Sequence, residues 1–158
     1  MTWLVIGVDP GPTPGIVALQ PTQAHRVAAS VIQCDRDSAV LVIRGLLSAE
    51  PGCRRLIVAV ERFVVGYRAA RSRTPTAGAT TRDLIGALHE ATNGLAQMQQ
   101  RPAAAVKPWA TDARLAAAGL LDATKGMPHA RDAARHALFA AVHAHLMPDP
   151  LSKRARRE

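Results

Sequence analysis

Two short apolar runs constrain this chain more than any other feature. Trp3-Leu4-Val5-Ile6-Gly7-Val8 and Leu56-Ile57-Val58-Ala59-Val60 contain no polar residue and are rich in β-branched side chains. Continuous rather than alternating runs of this length fit strands buried on both faces, with helices covering each side of the sheet. Each run ends in an acid, Asp9 and Glu61, and Pro10-Gly11 follows Asp9 at once, which stops a ladder. A carboxylate at the mouth of a buried strand is costly unless cations or hydrogen bonds compensate. Taken alone, Asp9 reads equally well as a turn-capping residue. The repeat at Glu61 is what argues for a site: if the two strands are parallel neighbours, both acids lie at the rim where α/β proteins bind ligands.

The rest of the chain can be built around these strands. Gly15–Leu19 and Val27–Ile32 read as further strands after turns at Pro10–Pro14 and Pro21-Thr22, which makes a three-stranded meander with the first. Asp35 caps a helix reaching about Ala49, with Val40, Ile43, Leu46 and Leu47 on one face, and Pro51-Gly52 ends it. The spacing of Leu84, Leu88, Ala91, Leu95 and Met98 predicts a long helix from about Ala79 to Gln100. Its seam packs on the sheet or on a second copy of the chain, and Gly94 is its weak point. A short strand is expected around Ala103–Val106, then a helix opened by Lys107-Pro108-Trp109 and reaching about Ala118. Gly119–Gly126 reads as a connector. A final helix runs from near Pro128 to about Leu146, with Ala133, Ala134, Ala137, Leu138, Ala141 and Val142 on its buried side. The expected fold is α/β with a five-stranded mixed sheet: a meander, then helix, strand, helix, strand and two helices. At 158 residues one domain is expected, over 1–148, with 149–158 a basic, disordered tail.

Composition narrows the class of partner. No apolar run approaches the roughly 20 residues of a membrane span, and no basic stretch precedes an apolar one at the N-terminus, so a cytoplasmic protein is expected. Cys34 and Cys53 are too few for a disulfide framework and form no metal pattern. A net charge of +8 points to a polyanionic partner, against the plainer reading of a merely soluble basic protein. The stretch from Arg62 to Thr81 combines Arg62, Arg68, Arg71 and Arg73 with Phe63 and Tyr67 directly after Glu61. It reads either as a solvated loop or as a strand-binding loop, with arginines for phosphates and an aromatic for stacking or wedging between bases. Beside a carboxylate site the nucleic-acid reading is favoured.

A third acid completes the candidate constellation. In the first turns of the last helix, His129, Asp132 and His136 fall three and four residues apart and so share a face. Asp9, Glu61 and Asp132, with His129, form an oxygen-rich set suited to Mg2+ or Mn2+. Three carboxylates brought together without a cation would repel one another. Two ions per site would relieve that and would clamp the attacking and leaving oxygens of a phosphoryl transfer. His136 either orients Asp132 or is simply a packed helix residue.

In this order and spacing the chain resembles the RuvC family of Holliday junction resolvases, within the ribonuclease-H-like superfamily. Gly7-Val8-Asp9-Pro10-Gly11 is similar to the family's first motif, Val60-Glu61-Arg62-Phe63 to its second, and His129-Ala130-Arg131-Asp132-Ala133 to its last. The resemblance implies a homodimer that uses divalent ions held by Asp9, Glu61, His129 and Asp132. It implies paired nicks in four-way DNA junctions, leaving 5′ phosphates, with action on other branched DNA also open. The family's junction-wedging aromatic aligns with Val64, which leaves Phe63 and Tyr67 as candidates. Lys107 and Lys125 fall where family members contact phosphates. The short, Arg-rich form suggests a phage or phage-like member acting in the cytoplasm of a bacterial host. Two rivals remain. One is a catalytically silent branched-DNA-binding module. The other is an actin- or sugar-kinase-like phosphate-binding domain built on Asp9-Pro10-Gly11-Pro12-Thr13, which needs a second domain and a second phosphate loop that this length does not allow.

Overall fold

The computed structural model describes residues 2–22, 27–49, 52–63 and 76–152. The first apolar run forms β1 (Trp3–Asp9), and the second forms β4 (Arg55–Glu61). They are parallel neighbours, in register from Trp3 opposite Arg55 to Val8 opposite Val60. Strands β2 (Gly15–Pro21) and β3 (Val27–Gln33) extend the sheet antiparallel on the other side of β1. A parallel edge strand β5 (Gln97–Arg101) completes the order β3-β2-β1-β4-β5. This is the expected five-stranded mixed sheet.

Strand parity sorts the core into two layers, because successive side chains point to opposite faces. Leu4, Ile6 and Val8 of β1 and Val58 and Val60 of β4 pack with Ile43 and Leu47 of α1 (Arg36–Ser48) and Leu84 and Leu88 of α2 (Thr76–Thr92). Trp3 and Val5, with Ile57 and Ala59, pack on the opposite face against the alanine-rich α6 (Pro128–His143). Each Leu, Ile or Val buried in this way contributes about 1.5–3 kcal/mol. By the same parity Asp9 and Glu61 fall on the α6 side of the sheet. Asp35 caps α1 as expected, its carboxylate accepting from the Ser38 backbone N–H at 2.8 Å.

The region after α2 departs from the sequence expectation. The long helix ends at Thr92 instead of Gln100. Gly94 adopts φ +71, a left-handed turn that glycine takes without strain. The N–H groups of Leu95 and Ala96 close on the Thr92 carbonyl at 3.0 Å each. Leu95, expected in the seam, is 59% exposed. The polar run Gln97–Arg101 is the edge strand, its identity set by pairing with β4 rather than by any apolar pattern. The strand expected at Ala103–Val106 is the short helix α3 (Ala103–Val106), begun after Pro102. The next helix, α4 (Asp112–Ala117), starts later than expected: Thr111 is its cap, and Pro108, expected in its first turn, lies before it. Leu120–Ala123 of the connector forms a single turn, α5, and α6 stops at His143, short of Leu146. Among the described residues no helix is long and apolar enough to cross a membrane.

The chain beyond α6 is tied back by an ion pair. Arg114 Nε and Nη2 donate to the Asp149 carboxylate at 3.0–3.2 Å, and Arg114 Nη1 donates to the Trp109 carbonyl at 2.9 Å. The hydrogen bonds from Arg114 hold the Asp149 carboxyl below its ordinary 3.8. A depressed carboxyl stabilises the fold fully above its ordinary value, and the contribution is lost as pH falls through the folded-state value. Asp149→Asn should therefore destabilise the fold at pH 7, by about 1 kcal/mol or less for a pair near the surface, read from urea denaturation. Wild type and variant should converge as the solution is acidified below 3.8. A gap unchanged at the acid end would show that the pair's charge is not what stabilises this segment. Residues 153–158, with the basic run of the expected tail, lie outside the described residues.

Candidate metal and nucleic-acid site

The site is assembled by pressing α6 onto the ends of β1, β2 and β4. Two glycines allow that approach. A Cβ at Gly7 would lie 2.0 Å from the Ala133 carbonyl oxygen, and one at Gly15 would lie 2.2 Å from that of His129. Gly11, in the turn after Asp9, leaves room for the His129 ring, 3.2 Å from where its Cβ would be. The first turn of α6 is thereby fixed above the end of β1, and His129 Nδ1 lies 2.8 Å from Asp9 Oδ2.

The three carboxylates share one rim, and each has its own partner. Asp9 faces His129. Glu61, one residue beyond the last β1–β4 register pair, has its Oε2 3.5 Å from Nε2 of His136. Asp132 accepts from Lys107 Nζ at 2.9 Å and from Arg135 Nη1 at 2.6 Å. Arg135 is a three-way clamp: it also donates to the Ala110 carbonyl at 3.2 Å and to Asp112 Oδ1 at 2.5 Å. Among the described residues no three His, Cys, Asp or Glu side chains stand close enough to cage an ion as they are.

Electrostatics nevertheless couples the acids. Burial raises the Asp9 carboxyl above its ordinary 3.8; the hydrogen bond with His129 opposes this, and the negative charges of Glu61 and Asp132 add to the rise. For Asp132, burial also pushes upward, but the hydrogen bonds and charges of Lys107 and Arg135 outweigh it and hold the group below 3.8. Asp9 is thus less compensated than Asp132, which is already neutralised by protein cations.

The basic residues expected to meet DNA are divided. Arg62 is exposed, and its backbone N–H donates to the Arg101 carbonyl at 2.8 Å. The Phe63 ring packs toward α2, 3.1 Å from where a Cβ of Gly78 would be. Lys107 is on Asp132, and Lys125 is exposed in the turn between α5 and α6. Val64, Tyr67, Arg68, Arg71 and Arg73 lie outside the described residues. His136, read from the sequence either as an orienter of Asp132 or as a packed helix residue, is buried and faces Glu61. Three residues at the rim were not anticipated: Arg135, its partner Asp112, and Arg101. Arg101 pairs with Glu61 in register and lies with its guanidinium 5.3 Å over the Phe139 ring. The three-residue spacing of Asp132 and Arg135 on one helix was the available signal for the first.

No family model matches the sequence, and no curated protein does. Among solved structures, "T. thermophilus RuvC in complex with Holliday junction substrate" matches with a TM-score of 0.60, covering 90% of this chain and 96% of that one at 22% identity. The chain has a RuvC-like fold.

Proposed function

We propose that this protein is a divalent-metal-dependent, structure-selective endonuclease that resolves four-way DNA junctions by paired nicks leaving 5′ phosphates. It acts as a homodimer, one protomer per nicked strand. The observation that carries this reading is the gathering of Asp9, Glu61 and Asp132 at the common ends of two parallel strands, on a chain of net charge +8. The RuvC-like fold supports it, since that neighbour is held with a Holliday junction substrate.

The donor set fits a divalent ion. It offers carboxylate oxygens and one imidazole, and its innermost acid is raised by burial and by the charges of its neighbours, a penalty that a cation removes. Asp9, Glu61, Asp132 and His129 would hold Mg2+ or Mn2+, two ions per site, supplying Lewis acidity and charge neutralisation for phosphodiester hydrolysis. The chain's own groups do the rest. His129 orients Asp9. Arg135, only 17% exposed and held at three points, fixes Asp132. Lys107, 44% exposed, is the partner able to swing from Asp132 to a phosphate. Arg62, Arg101 and Lys125 present further cations to the backbone, with Phe63, Tyr67, Arg68, Arg71 and Arg73 in the segment that meets the junction.

A labelled four-way junction incubated with Mg2+ decides the matter. Symmetric nicks with 5′ phosphates are expected, together with weaker or no action on linear duplex. A shifted band that is never cut would overturn the nuclease reading in favour of a branched-DNA-binding module. Junction affinity should fall linearly with salt on a double-logarithmic plot, by about 0.9 per phosphate neutralised. Affinity indifferent to salt would contradict contact through the basic groups.

A further inference from the structure

His136 takes no part in the reading above, yet its environment is unlike that of a packed helix residue. It is 2% exposed, on a helix whose other buried positions are alanine, leucine and phenylalanine. Its Nε2 has no hydrogen-bond partner, and it points at Glu61 Oε2 across 3.5 Å. An imidazole nitrogen left unpaired in a protein interior is unfavourable, and leucine in its place would not carry that penalty. The position also repeats an arrangement already present at the rim. His129 and His136 lie two turns apart on α6, and the strands below them, β1 and β4, are neighbours. Each strand-end acid therefore meets one imidazole from the same helix: Asp9 meets His129, and Glu61 meets His136.

We infer that His136 is the positioning residue for Glu61: its Nε2–H donates to one carboxylate oxygen and turns the other toward the rim. The tautomer protonated on Nε2 satisfies both the orphaned nitrogen and the acid with a small rotation of Glu61, which is 24% exposed and has room to turn. His136 itself touches neither DNA nor ion. The inference rests on the proposed role of the acids, because a carboxylate with no ion to hold needs no fixed orientation.

The test compares His136→Leu and His136→Gln in the full chain, with circular dichroism to verify folding. Outer hydrogen-bond partners of metal ligands typically matter about 10–100-fold. His136→Leu should lower single-turnover cleavage of a saturating junction by that factor. It should also weaken Mn2+ uptake, measured on the protein without DNA, and leave the junction Kd unchanged. His136→Gln, whose amide can donate to Glu61, should recover most of both losses. Leucine at wild-type rate and Mn2+ affinity, in a folded chain, overturns the inference alone. A wild type that neither cuts junctions nor takes up Mn2+ overturns the function reading, and this inference with it. Should both variants unfold, 15N NMR of histidine-labelled wild type decides: an Nε2-protonated ring supports the contact, and an Nδ1-protonated ring refutes it.

Discussion

Asp132→Asn should abolish junction cleavage and leave junction binding intact. The amide keeps the size of the side chain and one acceptor oxygen, so Arg135 retains a partner and α6 remains seated. What disappears is the charge. Lys107 and Arg135 hold the Asp132 carboxyl below its ordinary 3.8, so it is a carboxylate at neutral pH. An amide is a far poorer ligand for a hard cation, which prefers anionic oxygen. The loss in cleavage rate should be roughly a thousandfold or more, beyond the roughly 10–100-fold cost of losing only an outer partner of a ligand. Binding follows the opposite logic. With the carboxylate gone, Lys107 loses its counter-charge next to the place where a phosphate backbone would lie, while Arg135 keeps its pairing with Asp112, so affinity should hold or rise. Gel shifts without metal and single-turnover cleavage with Mg2+ separate the two effects. A variant that loses binding together with cleavage, and melts at lower temperature, would mean that Asp132 serves chiefly as the anchor of the Arg135 clamp.

The same residues show which parts of the molecule can be read from the chain and which cannot. Strands β1 and β4 were legible because they are central, and a central strand must be apolar throughout. Their terminal acids were legible because nothing else in such a run is charged. Strand β5 was illegible for the converse reason. At the edge of the sheet Gln97–Arg101 needs few apolar side chains, and the hydrogen bonds that make it a strand belong to β4. Gln and Met are good helix formers, and Leu95 and Met98 prolong the helical spacing past the point where Gly94 ends it. At the site, the acids were visible as residue types at element ends. Their partners were not, since Lys107 reaches Asp132 from 25 positions away and Arg135 binds Asp112 from 23. Side-chain direction across a gap is fixed by packing and leaves no local mark in the sequence. His136 is intermediate: its face was predictable from spacing, but which acid it met depended on where α6 crosses the sheet.

That crossing point is set by glycine, and Gly7→Ala, like Gly15→Ala, should be among the most damaging single methyls in the chain. The added carbon would sit 2.0 Å from the Ala133 carbonyl oxygen, 2.7 Å from the Ala137 amide nitrogen and 2.8 Å from the Ala137 Cβ. Two of these are helix backbone, which cannot rotate aside as a side chain can. The helix must lift from the sheet, and Ala130, Ala133, Ala134 and Ala137 beneath it would lose their packing together. Overpacking of a well-filled core typically costs about 1–3 kcal/mol, and a clash with rigid backbone belongs at or above the upper end. The consequence reaches the rim, because the lifted turn carries His129 and Asp132. A variant that still folds should therefore lose cleavage far out of proportion to its stability. Gly45→Ala and Gly86→Ala provide the contrast. Both sit in exposed helix interiors with nothing within 4 Å of the new carbon, and each should stabilise the fold by about 0.5–1 kcal/mol through helix propensity and reduced freedom of the unfolded chain. Urea denaturation of the three variants puts the two effects on one scale. If Gly7→Ala unfolds within a few tenths of a kcal/mol of wild type, then α6 does not lie on β1 at Gly7, and the placement of His129 over Asp9 falls with it.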